Sequence, residues 1–279
     1  MGMTTEHQEW RFYGRRVGRK LNPKRQEVLD NIYPKLSIDN LDKDGTLCPS
    51  TLFSTMSLPE SATQILGQSQ PQQDSPRVDY VNSGNDSKAD RGPDFHQDNL
   101  QSNKVILEIG FGNGEHLAEM MRRNPTHNFI GAEPFKNGMT AFLKEINDDK
   151  LPLDNIRVHM DDAIPLVKSL APNSIDEIYV LNPDPWHKTR HHQRRIINQS
   201  NLDEFSRIMK KGATLIMTTD VVNLIEWMVT EASLHPDFEW TATKADDWRV
   251  AQKDWIPTRY ETKGAKGADH MNYLFFVKK

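Results

Sequence analysis

Lys104-Val105-Ile106-Leu107-Glu108-Ile109-Gly110-Phe111-Gly112-Asn113-Gly114 decides how this 279-residue chain folds. An apolar run of strand length, ended by closely spaced glycines and followed by helical periodicity, reads as a buried strand turning sharply into a helix. The strand spans 104–109 and the helix 114–123. The same alternation continues downstream: strands at 128–132, 156–159, 175–181 and 214–219, with helices at 136–146, 163–170, 202–209 and 222–233. Strands alternating with helices predict right-handed βαβ units and a mostly parallel sheet covered on both faces. Two further strands, 238–243 and 272–277, have no helix predicted between them, so an antiparallel hairpin is expected at one edge.

Upstream of this α/β region the composition changes twice. Arg11, Arg15, Arg16, Arg19, Lys20, Lys24 and Arg25 form a basic arm without an acid among them, and Val28, Leu29, Ile32 and Leu36 then recur at helical spacing. Residues 37–103 hold 10 Ser, 7 Gln, 5 Asn, 5 Pro and 4 Gly, with 10 acids against 4 bases. Such a segment buries too little apolar surface to offset its ordering entropy, and an unstructured insertion is expected, with a local turn near 47–56. Its net charge of -6 outweighs the chain's total of -4, so the remainder is slightly basic. Three zones follow: 1–36 arm and helix, 37–103 insertion, 104–279 α/β domain. Cys48 is the single cysteine, which excludes an internal disulfide and a cysteine zinc site. Neither a signal-peptide core nor a membrane-length apolar stretch is present, so a soluble, cytoplasmic protein is expected.

Three acids stand at positions where a nucleoside ligand needs them. Glu133 follows the second strand, where a carboxylate accepts hydrogen bonds from both ribose hydroxyls. Glu108 borders the glycine loop, and Asp162, after the third strand, suits an adenine amino group or equally the N-cap of the next helix. The glycine spacing alone does not separate dinucleotides from S-adenosylmethionine. The pattern G-x-G-x-G departs from the dinucleotide G-x-G-x-x-G. A ligand without phosphate has less need of helix N-terminal amides, and the features together favour the methyl donor.

At the end of the fourth strand stands Asn182-Pro183-Asp184-Pro185-Trp186-His187-Lys188. Two prolines fix the backbone around Asp184 and aim its carboxylate past the strand end, where ligands of open α/β sheets bind. Trp186 is either a stacking platform for a base or a core residue. The adjoining run from Lys188 to Arg195 holds four permanent cations and two histidines beside this turn, which fits phosphate contacts better than a merely solvated face. The basic arm is a second phosphate contact or a plain tail. His187, His191 and His192 lack neighbouring metal-ligand partners, so no metal site is expected. Thr258-Arg259-Tyr260-Glu261, with Lys263-Gly264 and Lys266-Gly267 after it, is either a base-reading loop or an unremarkable edge loop.

The glycine loop, Pro183-Asp184-Pro185-Trp186, Lys188-x-Arg190-His191 with Arg194-Arg195, and Thr258-Arg259-Tyr260-Glu261 occur in an order that resembles the bacterial tRNA (guanine-N7-)-methyltransferases, over 104–279 and the 11–36 arm. The resemblance implies a Rossmann-like class I methyltransferase fold with a seven-stranded sheet. It implies S-adenosylmethionine as cofactor and in-line methyl transfer to N7 of a variable-loop guanine in tRNA. It implies that Glu108, Gly110, Gly112, Glu133, Asp162 and Asp184 form the cofactor site and that Asp184 is the active-site carboxylate. Lys188, Asp220, Thr258, Arg259, Tyr260 and Glu261 would bind substrate, and Arg190, His191, His192, Gln193, Arg194 and Arg195 would contact RNA. The expected partner is tRNA, with neither metal nor membrane, and the protein is expected to be a monomer or homodimer. Asn182 departs from the aromatic or apolar residue usual in the family, and the 37–103 insertion is longer than the family pattern.

Overall fold

The computed structural model describes residues 16–41, 45–53, 103–263 and 271–279. Arg11 and Arg15, most of the expected insertion, and Gly264, Lys266 and Gly267 lie outside these residues.

The decisive stretch forms strand β1 (Val105–Ile109), buried along its whole length, leading into helix α4 (Glu115–Arg123). Strands β2 (Asn128–Ala132), β3 (Ile156–His159), β4 (Ile175–Leu181) and β5 (Met209–Thr219) alternate with helices α5 (Lys136–Asp148), α6 (Ala163–Ser169) and α7 (Gln199–Ile208). Helix α8 (Val222–Leu234) leads to β6 (Phe238–Trp240), and β7 (Asn272–Lys278) is the last strand along the chain. The seven strands lie in the order β3-β2-β1-β4-β5-β7-β6. Strands β1 to β5 pair in parallel, and β7 runs antiparallel between β5 and β6. This is the Rossmann-like class I methyltransferase arrangement. The chain order reverses between β1 and β4, which opens a crevice at their carboxyl ends.

Alternation along the strands sorts the core into two layers. Val105, Leu107 and Ile109 pack with Leu166, Phe205 and Leu224 on one face. Ile106 packs with Leu117, Phe142 and Ile146 on the other. Leu29, Ile32 and Leu36 join this second layer, so the N-terminal helix is part of the domain rather than an appendage.

Three expectations are corrected. The single helix expected from the spacing of Val28, Leu29, Ile32 and Leu36 is two, α1 (Pro23–Asn31) and α2 (Tyr33–Leu36), because Pro34 lacks the N–H that would continue the first. Ordered chain passes the expected boundary at 36: Ile38 N–H bonds Val158 O, Leu47 N–H bonds Ser169 O, and α3 (Pro49–Phe53) follows. β6 and β7 pair antiparallel at the sheet edge as expected, but the connection between them, read as free of helix, carries the four-residue helices α9 (Asp246–Arg249) and α10 (Arg259–Thr262).

Close packing fixes the glycine loop from behind. A Cβ on Gly138, in the first turn of α5, would lie 2.3 Å from the Gly112 carbonyl oxygen. Helix propensity alone predicts that Gly138→Ala gains about 1 kcal/mol. The clash predicts an overpacking loss of about 1–3 kcal/mol. We expect the clash to win, with a lower urea midpoint; a raised midpoint would show that the loop yields freely.

Candidate active site

The five parallel strands are each followed by expected site residues at one rim of the sheet. Gly110 and Gly112 follow β1, Glu133 follows β2, Asp161 and Asp162 follow β3, Asp184 follows β4 and Asp220 follows β5.

Glu133 organises the side of the rim where the cofactor is expected. It is 7% exposed, its Oε2 accepts the Gly112 N–H at 2.7 Å, and its Oε1 accepts the Phe135 N–H at 2.8 Å. Each oxygen keeps acceptor capacity for a ligand hydroxyl. Gly110 and Gly112 have φ of 73° and 61°, a region that favours glycine, and an added Cβ on either would meet nothing within 4 Å. The loop therefore curls around open space, as a ligand cradle requires. Asp162 caps α6 by accepting the Ile164 N–H at 3.0 Å, which realises the capping alternative. Its neighbour Asp161 pairs with Arg16 of the arm at 2.8 Å.

Glu108 sits differently from a freely exposed ligand acid. It is 2% exposed, and its Oε2 lies 2.8 Å from Nδ1 of the buried His116. The His116 ring packs between Tyr179 and Trp255 at centroid distances of 5.1 and 5.9 Å. Neither His116 nor Trp255 was found from the sequence. The signal for His116 was its place in the first turn after the glycine loop, while nothing local marks Trp255.

The Thr258–Glu261 segment closes the rim from the other side. Thr258 caps α10, and its hydroxyl donates to Glu261 Oε1 at 3.1 Å. Trp255 Nε1–H donates to Glu261 Oε2 at 2.9 Å, so both carboxylate oxygens are held. Tyr260 OH donates to Asp220 at 2.9 Å, and Arg259 reaches Glu115 at 3.5 Å. Asn182 joins this segment to the Asp184 turn through Nδ2–H to Thr258 Oγ1 at 3.2 Å. Its φ is 49°, a left-handed conformation that asparagine tolerates well, which suits an asparagine where the family pattern has an aromatic or apolar residue.

Beyond Asp184 the chain forms a short 3-10 helix, Thr189–Arg194. Asp184, His187, Lys188, Arg190 and Gln193 are exposed, while Trp186, His191, His192 and Arg194 are half-buried. The Arg194 guanidinium lies 5.2 Å from the centre of the Trp186 ring, so the tryptophan is surface-packed rather than core. Arg195 is the correction in this run: it is 1% exposed, points into the protein, and is no RNA contact. The four-residue basic face expected here is thus Lys188, Arg190 and Arg194 without Arg195. Among the described residues, no group of His, Cys, Asp and Glu is placed to hold a metal, and no helix is long and apolar enough to cross a membrane.

Burial pushes the Glu133 carboxyl up from 4.5 to about 7; the amides of Phe135 and Gly112 oppose this, and the nearby charges of Asp184 and Glu108 add to it. A folded-state value above the unfolded one means that Glu133's own contribution to stability is greatest below pH about 4.5 and is lost as pH rises through about 7. Glu133→Gln should flatten this part of the stability–pH curve in urea titrations at successive pH values. An unchanged slope would place the buried charge elsewhere.

Comparison with known proteins agrees with this geometry. Residues 102–273 match the family described as putative methyltransferase. A tRNA (guanine-N(7)-)-methyltransferase of Agrobacterium fabrum is 42% identical over 175 residues, covering 63% of this chain and 75% of that protein. Proteins of the same name from Azorhizobium caulinodans and Bartonella henselae are 33% and 32% identical, covering 98% and 96% of this chain and 97% and 95% of their own. With glycine cradle, acid-lined rim and near full-length similarity in place, the chain belongs to the tRNA (guanine-N(7)-)-methyltransferase family.

Proposed function

We infer that this protein transfers a methyl group from S-adenosylmethionine to N7 of a guanine in tRNA, in the variable loop as the family resemblance implies. The observation that carries this reading is one sheet rim that brings a buried carboxylate, Glu133, after β2 and an exposed one, Asp184, after β4 beside a cationic face beginning four residues later at Lys188.

The residues fit the cofactor. Gly110 and Gly112 would shape its cradle, Glu133 would accept from the ribose hydroxyls, and Asp162 would meet the adenine edge. Glu108 would act from beneath the loop, since its carboxylate is buried against His116. When bound, S-adenosylmethionine supplies a methyl group already activated by a sulfonium charge.

Guanine N7 carries a lone pair and no proton, so the chain needs no general base before transfer. Its work is orientation, which is worth up to roughly 7–11 kcal/mol in well-aligned reactions. The methylated base becomes cationic. Asp184, exposed in the crevice, would stabilise that developing charge. Glu261 has both oxygens held by Trp255 and Thr258, so it would bind the base as a fixed acceptor. Lys188, Arg190 and Arg194 would track phosphates beside the crevice. Exposed Arg259 and Tyr260, the latter anchored on Asp220, would line the base-binding side.

Incubating the protein with unmodified tRNA and labelled S-adenosylmethionine should label the tRNA, and aniline should then cleave it at the 7-methylguanine. Label without aniline-sensitive cleavage would move the reaction to another atom. Asp184→Asn keeps the shape and removes the charge; we expect kcat to fall about 10²–10³-fold, as when one electrostatic contact to a transition state is lost. A wild-type rate would remove Asp184 from charge stabilisation. Lys188→Ala and Arg190→Ala should each weaken tRNA binding and lower the salt slope by about one. A slope identical to that of the wild type would take that residue out of the RNA interface.

A further inference from the structure

Arg195 is among the largest side chains buried below 2% exposure, and it is a charged one. Its Nε–H donates to the Pro185 carbonyl oxygen at 3.0 Å, and Nη2–H donates to Asn223 Oδ1. The guanidinium carbon lies 5.1 Å from the Trp227 ring centre, and Nη1 has no hydrogen-bond partner. Among the described residues no carboxylate pairs with it, so its charge is met only by neutral oxygens and a ring face. A buried cation without a counter-ion is an expensive way to fill space; an apolar side chain of similar volume is often as stable or more so. What an apolar residue could not do is hold the Pro185 carbonyl.

That carbonyl belongs to the peptide bond joining Pro185 to Trp186, one residue after Asp184. Trp186 has a φ of 45°, a left-handed conformation that is an outlier for a bulky aromatic residue and persists only where its surroundings over-determine it. Asn223 and Trp227 lie in the first two turns of α8, the helix that begins two residues after Asp220. Trp227 is itself fixed by its Nε1–H to Ile197 O at 2.6 Å. The guanidinium thus bridges the strained turn and the helix beneath it, using donors on two of its edges, a geometry that a lysine ammonium does not reproduce.

We propose that Arg195 is a positioning residue: its buried guanidinium clamps the Pro183–Trp186 turn to α8 and so fixes where the Asp184 carboxylate stands in the crevice. The proposal rests on the functional reading above, in which Asp184 acts on the guanine. It assigns Arg195 to the chemistry through Asp184 and not to RNA contact.

The test compares Arg195→Met and Arg195→Lys with the wild-type protein. Arg195→Met should keep or raise the thermal midpoint and leave S-adenosylmethionine and tRNA affinities unchanged. Its kcat should fall on the order of 100-fold, as a displacement of about 1 Å does. Arg195→Lys should retain the charge and still lose kcat. Millimolar guanidinium should restore part of the rate to Arg195→Gly. Wild-type kcat in either the Met or the Lys variant would overturn the clamp, as would a loss of tRNA affinity at unchanged kcat. Hydrogen exchange of the backbone amides at 184 and 186–188 reads the clamp without any substrate. Faster exchange there in Arg195→Met or Arg195→Lys supports it, and unchanged exchange overturns it. A wild-type protein inactive on tRNA would overturn the functional reading instead, with the exchange result still deciding the clamp.

Discussion

A single buried carboxylate holds the rim together. Glu133 accepts one backbone N–H from the glycine loop and one from the turn that opens α5, so two loops from different βαβ units take their shape from one side chain. Burial makes its charge costly, and the neighbouring acids make it costlier. The fold tolerates this because the two amides satisfy the oxygens and Gly138 allows α5 to approach the loop closely. Strain of this kind at a rim is expected where the geometry serves a ligand rather than stability alone.

Charge is distributed with the same logic. Acids gather inside the crevice, where both a sulfonium donor and a methylated guanine carry positive charge. Cations stand on the adjoining face, where phosphates would lie. On this reading the crevice repels the nucleic-acid backbone that the neighbouring face attracts, and only an extruded base meets the acids. A net charge near neutrality conceals this, because the acidic 37–103 segment cancels the basic remainder.

Two walls of the crevice are held by contacts distant in sequence. Asn182 reaches Thr258, 76 residues on, and Tyr260 reaches back 40 residues to Asp220. The arm also contributes: the Arg16 carbonyl accepts the Lys136 N–H, and the Gly18 N–H donates to Asn137 Oδ1 at 2.9 Å. The turn after Glu133 is therefore braced from the N-terminal side as well.

The sequence by itself determined the alternation of strands and helices, because periodicity and glycine placement are local; β2, β3 and β4 fall on the residues read from it. It also determined which acids follow which strands, since strand ends are marked by loss of apolar residues. Tertiary structure decided what those side chains do. Arg195 belongs to a basic run in sequence, yet one residue beyond the exposed face the chain turns inward, and only packing against Trp227 reveals it. Glu108 reads as a ligand acid, but the helix that follows brings His116 onto it. Trp255 has no local signature, and its hold on Glu261 exists only once the segment before β7 folds over the rim. Local pattern fixes the backbone's path because hydrogen bonding and burial repeat along it. The fate of a polar side chain depends on which distant element arrives beside it.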